Sequence, residues 1–435
     1  MTVIDPAAPV APTGMSARMP VLGGANVPAV RFTGDAGAYW RLLIRGAMRL
    51  AITLGIYRFW LATDIRRYLW SHTEVRGDSL EYTGTATELL IGFLIAIAVI
   101  IPINLAFFVA ALSLGSFGEA VSVLAFPLLA FLGQYAVYRA RRYRLTRTVL
   151  RGVRFYQDGS AWHYAVCAVF WWMMIALTVG LAYPFAKSRL ERFKMRHTHY
   201  GTLPGRFEGS GVRLLLRGLP MWILTVGPLL FAAVFAIVTV DWTLMVEAVM
   251  REGGDFASRI ESVAPGFYAA IVVAIVAAIV SVAMAVVLFP VFQAMVMRWW
   301  ISGLRFGELS VRSHLRTGQI YGAYARFLLY GLLFLIGALV LAAAGAAALY
   351  LFAGSLSQSE LTEIVWAGAG ILFYVIVMLG FSTIYQATVK LSLWRYGAES
   401  CELQGLAALD QVKAAGAPSS AVGEGLADAL NVGGF

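Results

Sequence analysis

Long apolar runs separated by short basic segments dominate the chain. Six runs read as membrane spans: residues 89–112, 121–138, 219–240, 267–297, 327–352 and 364–389. Each holds roughly 18 residues or more that are nearly free of charge, as the hydrocarbon core of a bilayer requires of a crossing helix. Two further segments are ambiguous. Residues 38–60 contain Arg41, Arg45 and Arg49, spaced by four and therefore stacked on one helical face. Three arginines in hydrocarbon are costly, so an amphipathic helix in the interface is the better reading. Residues 162–185, WHYAVCAVFWWMMIALTVGLAYPF, hold no Asp, Glu, Lys or Arg, and hydropathy alone makes them a span.

The placement of charge decides how many runs cross. Suppose six cross and the two ambiguous segments enter and leave on one face. The N-terminus, segments 58–76, 139–154, 187–217 and 298–326, and the C-terminal segment then share a side, which carries all of the 34 Lys and Arg except Arg251 and Arg259. The opposite side carries Glu119, Asp241, Glu247, Glu252, Asp255, Glu261, Glu360 and Glu363. Eight crossings would split the basic segments between the two sides. The positive-inside rule therefore selects six, with both termini cytoplasmic and both ambiguous segments re-entrant or interfacial.

A repeat runs through these segments. TLGIYRFWLATDIRRYLWSHT begins at Thr53 and TVGLAYPFAKSRLERFKMRHT at Thr178. At a constant offset of 125 residues Thr53 matches Thr178, Gly55 matches Gly180, Arg67 matches Arg192, His72 matches His197, Thr73 matches Thr198, and Gly84 matches Gly209. Such a shared register reads as an internal duplication. Two crossings separate the copies, so the repeats are parallel. Extended pieces follow the basic segments, LEYTG at 80–84, VRFYQDG at 153–159, RFEGSG at 206–211 and LRFGELS at 304–310, and read as short cytoplasmic strands or hairpins. Near three exits from the spans a glutamine recurs with a valine three residues on: Gln134, Gln293 and Gln386.

The fold class is thus an all-α polytopic membrane protein. It has six transmembrane helices in three hairpins, two broken re-entrant helices, short cytoplasmic strands and an internal parallel repeat. Its divisions are a disordered 1–30, repeat 1 at 31–153, repeat 2 at 154–303, a third hairpin at 304–405 and a disordered tail at 406–435.

Composition agrees. With 60% apolar residues, 13% charged residues and a mean hydropathy of +0.74, the chain lies outside the soluble range. The net charge of +10 collects where apolar runs end, which assigns it to orientation and anionic headgroups rather than nucleic acid. The two cysteines, Cys167 and Cys401, argue against a disulfide framework or a Cys-based metal site.

The Arg-Phe-Thr-Gly at 31–34, the Thr-Leu-Gly-Ile-Tyr-x-x-Trp at 53–60, Arg66-Arg67-Tyr68 and the Tyr-Thr-Gly at 82–84 resemble the bacterial inner-membrane family typified by YjgN, which is defined by a domain of unknown function. The likeness covers about residues 30–400. It implies a bacterial inner membrane and a shared architecture, and no activity. His72 and His197 stand where the family usually has Asn, and Phe59 stands where it often has Pro, while Pro184 follows the family.

Thr53, Gly55, Thr178, Gly180 and Pro184 break apolar segments at matching positions. Paired breaks of this kind mark substrate sites in transporters, and they equally serve to turn a chain back to its starting face. Gln134, Gln293 and Gln386 either coordinate a solute or bond neighbouring helices. Arg66, Arg67, Arg141, Arg142, Arg189, Arg192 and Lys194 lie on basic helices interleaved with aromatics, suited to phospholipid headgroups. Histidines 72, 197 and 199 lack an acidic partner common to both copies, so no metal is expected. No cofactor is expected, and no catalytic motif is present, so an enzyme is not expected either. Transport of a small solute stands against a non-transporting scaffold that binds lipid or a partner through the basic rim. A homo-oligomer or protein partner stays open. Cysteines placed at 75 and 202 should be labelled from the face that carries the C-terminus, and labelling of 202 from the opposite face refutes the six-crossing topology.

Overall fold

The structure, a computed structural model, describes residues 29–113, 115–250, 265–353 and 360–415. The charged residues expected at 251–264, most of the 1–30 segment and residues 416–435 lie outside these.

One architectural unit recurs five times among the described residues. Each unit is a short strand, a helical hairpin and a second short strand that pairs antiparallel with the first. In unit 1, β1 (Val30–Phe32) and β2 (Thr73–Val75) flank α1 (Ala36–Ile52) and α2 (Arg58–Ser71). In unit 2, β3 (Asp78–Tyr82) and β4 (Thr148–Leu150) flank α3 (Ala86–Ser113) and α4 (Gly115–Thr146). In unit 3, β5 (Val153–Gln157) and β6 (Thr198–Tyr200) flank α5 (Ala161–Leu177) and α6 (Tyr183–Arg196). In unit 4, β7 (Leu203–Phe207) and β8 (Leu304–Phe306) flank α7 (Gly211–Thr239), α8 (Trp242–Met250) and α9 (Pro265–Ser302). In unit 5, β9 (Leu309–Ser313) and β10 (Cys401–Gln404) flank α10 (Thr317–Ala353) and α11 (Glu360–Tyr385), which runs through a π turn at Gln386–Lys390 into α12 (Leu391–Glu399). Each of repeats 1 and 2 read from the sequence therefore contains two units.

The units are joined by two-residue hairpins, so the extended pieces form one ten-stranded sheet in chain order rather than separate small hairpins. At the first two joints Arg76-Gly77 and Arg151-Gly152 all have positive φ, the conformation that matches a tight turn to strand twist. The sheet rolls up. Val75, Leu80, Leu150, Phe155, Tyr200, Phe306, Leu309 and Leu403 share one apolar interior, and β10 lies beside β1. The helices close the same ring above it: α2 packs on α3, α4 on α5, α6 on α7, α9 on α10, and α11 on α1. At the closing seam Trp394 stacks on Trp70 at 4.7 Å and its Nε1 donates to Thr73 Oγ1 at 2.9 Å.

Among the described residues five helical runs are long and apolar enough to cross a membrane: Ala86–Ser113, Gly211–Thr239, Gly266–Ser302, Thr317–Leu351 and Glu363–Glu399. The sixth expected run, 121–138, lies in α4, a helix of 32 residues packed on α3, and part of that run is outside the side chains described. The ambiguous segments are different. α1 and α5 have 17 residues each and rise only about 25 Å, against about 42 Å for the 28 residues of α3.

The turns of these short hairpins explain Thr-x-Gly. Thr53 Oγ1 donates to Arg49 O and accepts from Tyr57 N, closing α1 and opening α2 with one hydroxyl. Thr178 Oγ1 does the same with Met174 O and Ala182 N. Between them the chain reverses through left-handed residues, Leu54 and Gly55 at φ 48° and 93°, Val179 and Gly180 at 49° and 92°. Their apolar neighbours point outward, with Leu54 94% exposed and Leu177 76%.

The far end of the rolled sheet is closed by the chain itself. Residues 406–415, read from the sequence as the start of a disordered tail, pack here instead. A 3₁₀ turn at Leu406–Gln411 inserts Leu409 into the interior, Asp410 accepts from Arg76 and Arg151, and Thr202 N donates to Lys413 O. A Gly/Ala-rich composition conceals this because two residues, Leu409 and Asp410, supply the anchorage. Leu409→Ala should lower stability by about 2–3 kcal/mol, read as a fall in unfolding temperature, while Asp410→Asn should lower it far less because that ion pair is open to water.

Candidate functional site

Where the second helices of the units converge, just above the sheet, they line an open axial cavity of about 660 Å³. Trp70 of α2, Val137, Arg141, Arg144 and Leu145 of α4, and Tyr183, Lys187, Glu191 and Lys194 of α6 form part of its wall. Phe289, Phe292, Gln293, Val296, Met297 and Trp300 of α9 and Trp394 of α12 complete it, with Thr148 at the entry to β4. The ring places equivalent positions together. Arg141, Glu191, Met297 and Trp394 each lie five residues before the end of their helix, and all four face the cavity. The equivalent residue of unit 1, Arg66, is buried and donates to Tyr82 Oη at 3.1 Å.

Glu191 is the charge centre. Its side chain is 3% exposed and lies 2.5 Å from Lys194 Nζ, 3.6 Å from Lys187 Nζ and 3.7 Å from Arg141 Nη1. Trp300 Nε1 donates at 3.1 Å to Glu191 Oε2, the oxygen that Arg141 also faces, while both lysines face Oε1. Burial alone would push this carboxyl up, but Lys194, Arg141 and Lys187 together outweigh it and hold the carboxyl below its usual range. For Lys194 the balance is reversed: burial draws the ammonium down further than Glu191 raises it. Among the described residues four cations and one carboxylate line the cavity, and the Nε of Arg141 is buried without a hydrogen-bond partner. Such a surface favours an anionic occupant.

A second void of about 420 Å³ adjoins the first. It is apolar and runs between the second short hairpin and helices α7 and α9, past Gly180, Pro184, Leu214, Gly218, Trp222 and Ala285. Tyr183, Phe289 and Phe292 line both voids, which adjoin along these side chains.

The sequence-derived candidates distribute as follows. Gln293 lines the axial cavity and accepts from Tyr324 Oη at 3.0 Å. Gln134 and Gln386 are half-buried on α4 and in the π turn, and neither lines it, so the three glutamines do not form one ring around the cavity. Gly180 and Pro184 line the apolar void, whereas Thr53, Gly55 and Thr178 belong to the turns. Among the basic residues, Arg141 and Lys194 face the cavity, and Arg189 is exposed. Arg67, Arg142 and Arg192 have another employment. Each donates to the carbonyl of a glycine 17 residues later, Gly84, Gly159 and Gly209. They tie the end of one helical hairpin to the loop that begins the next. Arg298 reaches Thr317 Oγ1 at 3.5 Å in the same manner, and all four lie four residues before the end of their helix. His72 and His197 are held locally, by Tyr68 O and Asp158 Oδ1.

Arg144, Lys187, Glu191 and Trp300 are among the cavity residues that sequence reasoning missed. The signal available was a lone acid, Glu191, inside the basic run from Lys187 to Arg196.

Residues 27–429 match the family described as bacterial protein of unknown function, DUF898, and the chain belongs to that family. It is also 27% identical over 151 residues to the inner membrane protein YjgN of Salmonella typhimurium. That match covers 34% of this chain and 35% of the relative, so the chain spans about a third of the length of the curated relative it matches. No solved structure matches. The family, the relative and the apolar helices together place the protein in the bacterial inner membrane.

Removing the carboxylate alone should be harmful, because it strands three cations. Glu191→Gln is expected to destabilise the protein by about 3–5 kcal/mol, seen as a lower unfolding temperature in detergent. Glu191→Gln combined with Lys194→Met should recover part of the loss.

Proposed function

We propose that this member of the DUF898 family is a transporter or channel for a small solute, with the axial cavity as its site. One observation carries the reading: five helical hairpins surround a 660 Å³ space whose wall combines buried charge with aromatic side chains. A bundle built only for support gains nothing from burying charge, which is costly to desolvate. Pockets of this volume and mixed lining are typical of small-molecule sites.

In this reading the sheet and the basic segments face the cytoplasm, and the short hairpins enter the membrane and return without crossing. Their exposed apolar tips support that depth. The shared contacts of Thr53 and Thr178, and of Arg67 and Arg192, support descent of the parallel repeats from one module.

The second reading is a non-transporting scaffold that holds lipid or a partner at its basic rim. Exposed Arg41, Arg45 and Arg189 favour it. Cysteine accessibility separates the two. A single cysteine at Gln293, in a chain with Cys167 and Cys401 replaced by Ser, should react with a membrane-impermeant thiol reagent from either side of oriented vesicles. Reaction from one side alone, or from neither, refutes transport.

A further inference from the structure

We infer that the ligand of this site is an anionic amphiphile, with its phosphate or carboxylate head in the axial cavity and its hydrocarbon chain in the adjoining apolar void. The inference rests on the axial cavity being the solute site and adds the chemistry of the solute.

Three observations converge on it. The head group must be anionic, because Arg141, Lys187 and Lys194 face one carboxylate, Glu191, which is itself buried. A cation excess of that kind is relieved by a bound anion. The tail must be apolar, because the 420 Å³ void beside it is lined almost wholly by carbon. Head and tail belong to one molecule because the two voids adjoin along shared lining side chains, Tyr183, Phe289 and Phe292.

The short hairpin supplies the entrance. α5 and α6 rise about half as far as α9, whose 38 residues extend about 57 Å. Beyond the turn at Gly180 the flank between α7 and α9 is therefore not covered by unit 3, and an acyl chain reaches the void from the bilayer without leaving hydrocarbon. Access through the sheet is less favourable for a charged head, since its interior is lined by apolar side chains around a void of only about 200 Å³, with Leu409 in its wall.

Two sources share this chemistry, an anionic phospholipid of the bilayer and a soluble alkyl phosphate. The full-length protein in a neutral detergent would be incubated with phosphatidylglycerol, phosphatidylcholine, dodecyl phosphate or glycerol phosphate, and bound molecules counted by native mass spectrometry. Phosphatidylglycerol, dodecyl phosphate or both should bind at least about tenfold more tightly than phosphatidylcholine and glycerol phosphate, and the tighter of the two names the source. Lys187→Gln should weaken that binding about tenfold and Lys187→Arg should retain it. Lys187 is the most exposed of Glu191's three cationic partners, and an unfolding curve for each variant shows that it is folded. Ala285→Trp, which fills the apolar void, should weaken the amphiphiles and leave glycerol phosphate unchanged.

Equal binding of phosphatidylcholine overturns the anionic head. Glycerol phosphate binding as tightly as dodecyl phosphate, or an Ala285→Trp variant that binds normally, overturns the hydrocarbon tail. If no compound binds while a cysteine at Gln293 is labelled from both sides, the amphiphile fails and the solute site stands. If the cysteine is silent as well, both fail.

Discussion

Backbone hydrogen bonds between the first and last strand of each unit hold both feet of every helical hairpin in one layer. That constraint shapes the rest of the molecule. A strand of three to five residues has little stability alone, but ten of them pair in a single rolled sheet with a common interior. Because each hairpin must return to the sheet it left, long helices come in pairs, and the short segments can only turn back. The arginines four residues before the helix ends reinforce this arrangement at every joint between units, by carbonyl contacts in three cases and a hydroxyl contact in the fourth.

The same constraint creates the cavity. Second helices of successive units converge on the axis, so residues five positions before the helix ends become neighbours although about 50 to 106 residues separate them along the chain. At that level unit 2 contributes Arg141, unit 3 Glu191, unit 4 Met297 and unit 5 Trp394. Symmetry of backbone is combined with asymmetry of side chain. An anion-attracting wall on α4 and α6 faces an aromatic and apolar wall on α9 and α12, which gives the space a polar side and a greasy side.

Much of this was legible in the residues, and what was not has a physical reason. The charge asymmetry supplies an expectation of which runs cross and which segments turn back, because a basic segment can be counted without knowing its neighbours. The Thr-x-Gly echo marks a turn, because its hydrogen bonds are local, from Thr53 to Arg49 and Tyr57. The sheet was visible only as isolated pieces such as Leu80–Gly84. Its pairing joins Leu80 to Leu150 and Gly205 to Phe306, partners far apart in sequence that no local pattern specifies. The cavity was obscured for a related reason. Arg142 and Arg141 are adjacent and alike in sequence, yet a helical rotation of about 100° sends one to a glycine carbonyl and the other to Glu191. The glutamines left two readings open because a polar residue near the end of an apolar run announces burial without announcing what it is buried against.

The seam between unit 1 and unit 5 has a consequence for how the protein is made. Among the described strands β1 is the first to leave the ribosome and β10, beside it in the finished ring, is the last. Until residues 391–404 emerge, Thr73 has no Trp394 to bond and Trp70 has no indole to stack upon, and the apolar interior of the sheet is open along one side. Membrane insertion of the helices can proceed hairpin by hairpin, but closure waits until unit 5 has been made. A chain truncated before Leu391 would thus be inserted and yet unfinished, an open arc that displays two strand edges.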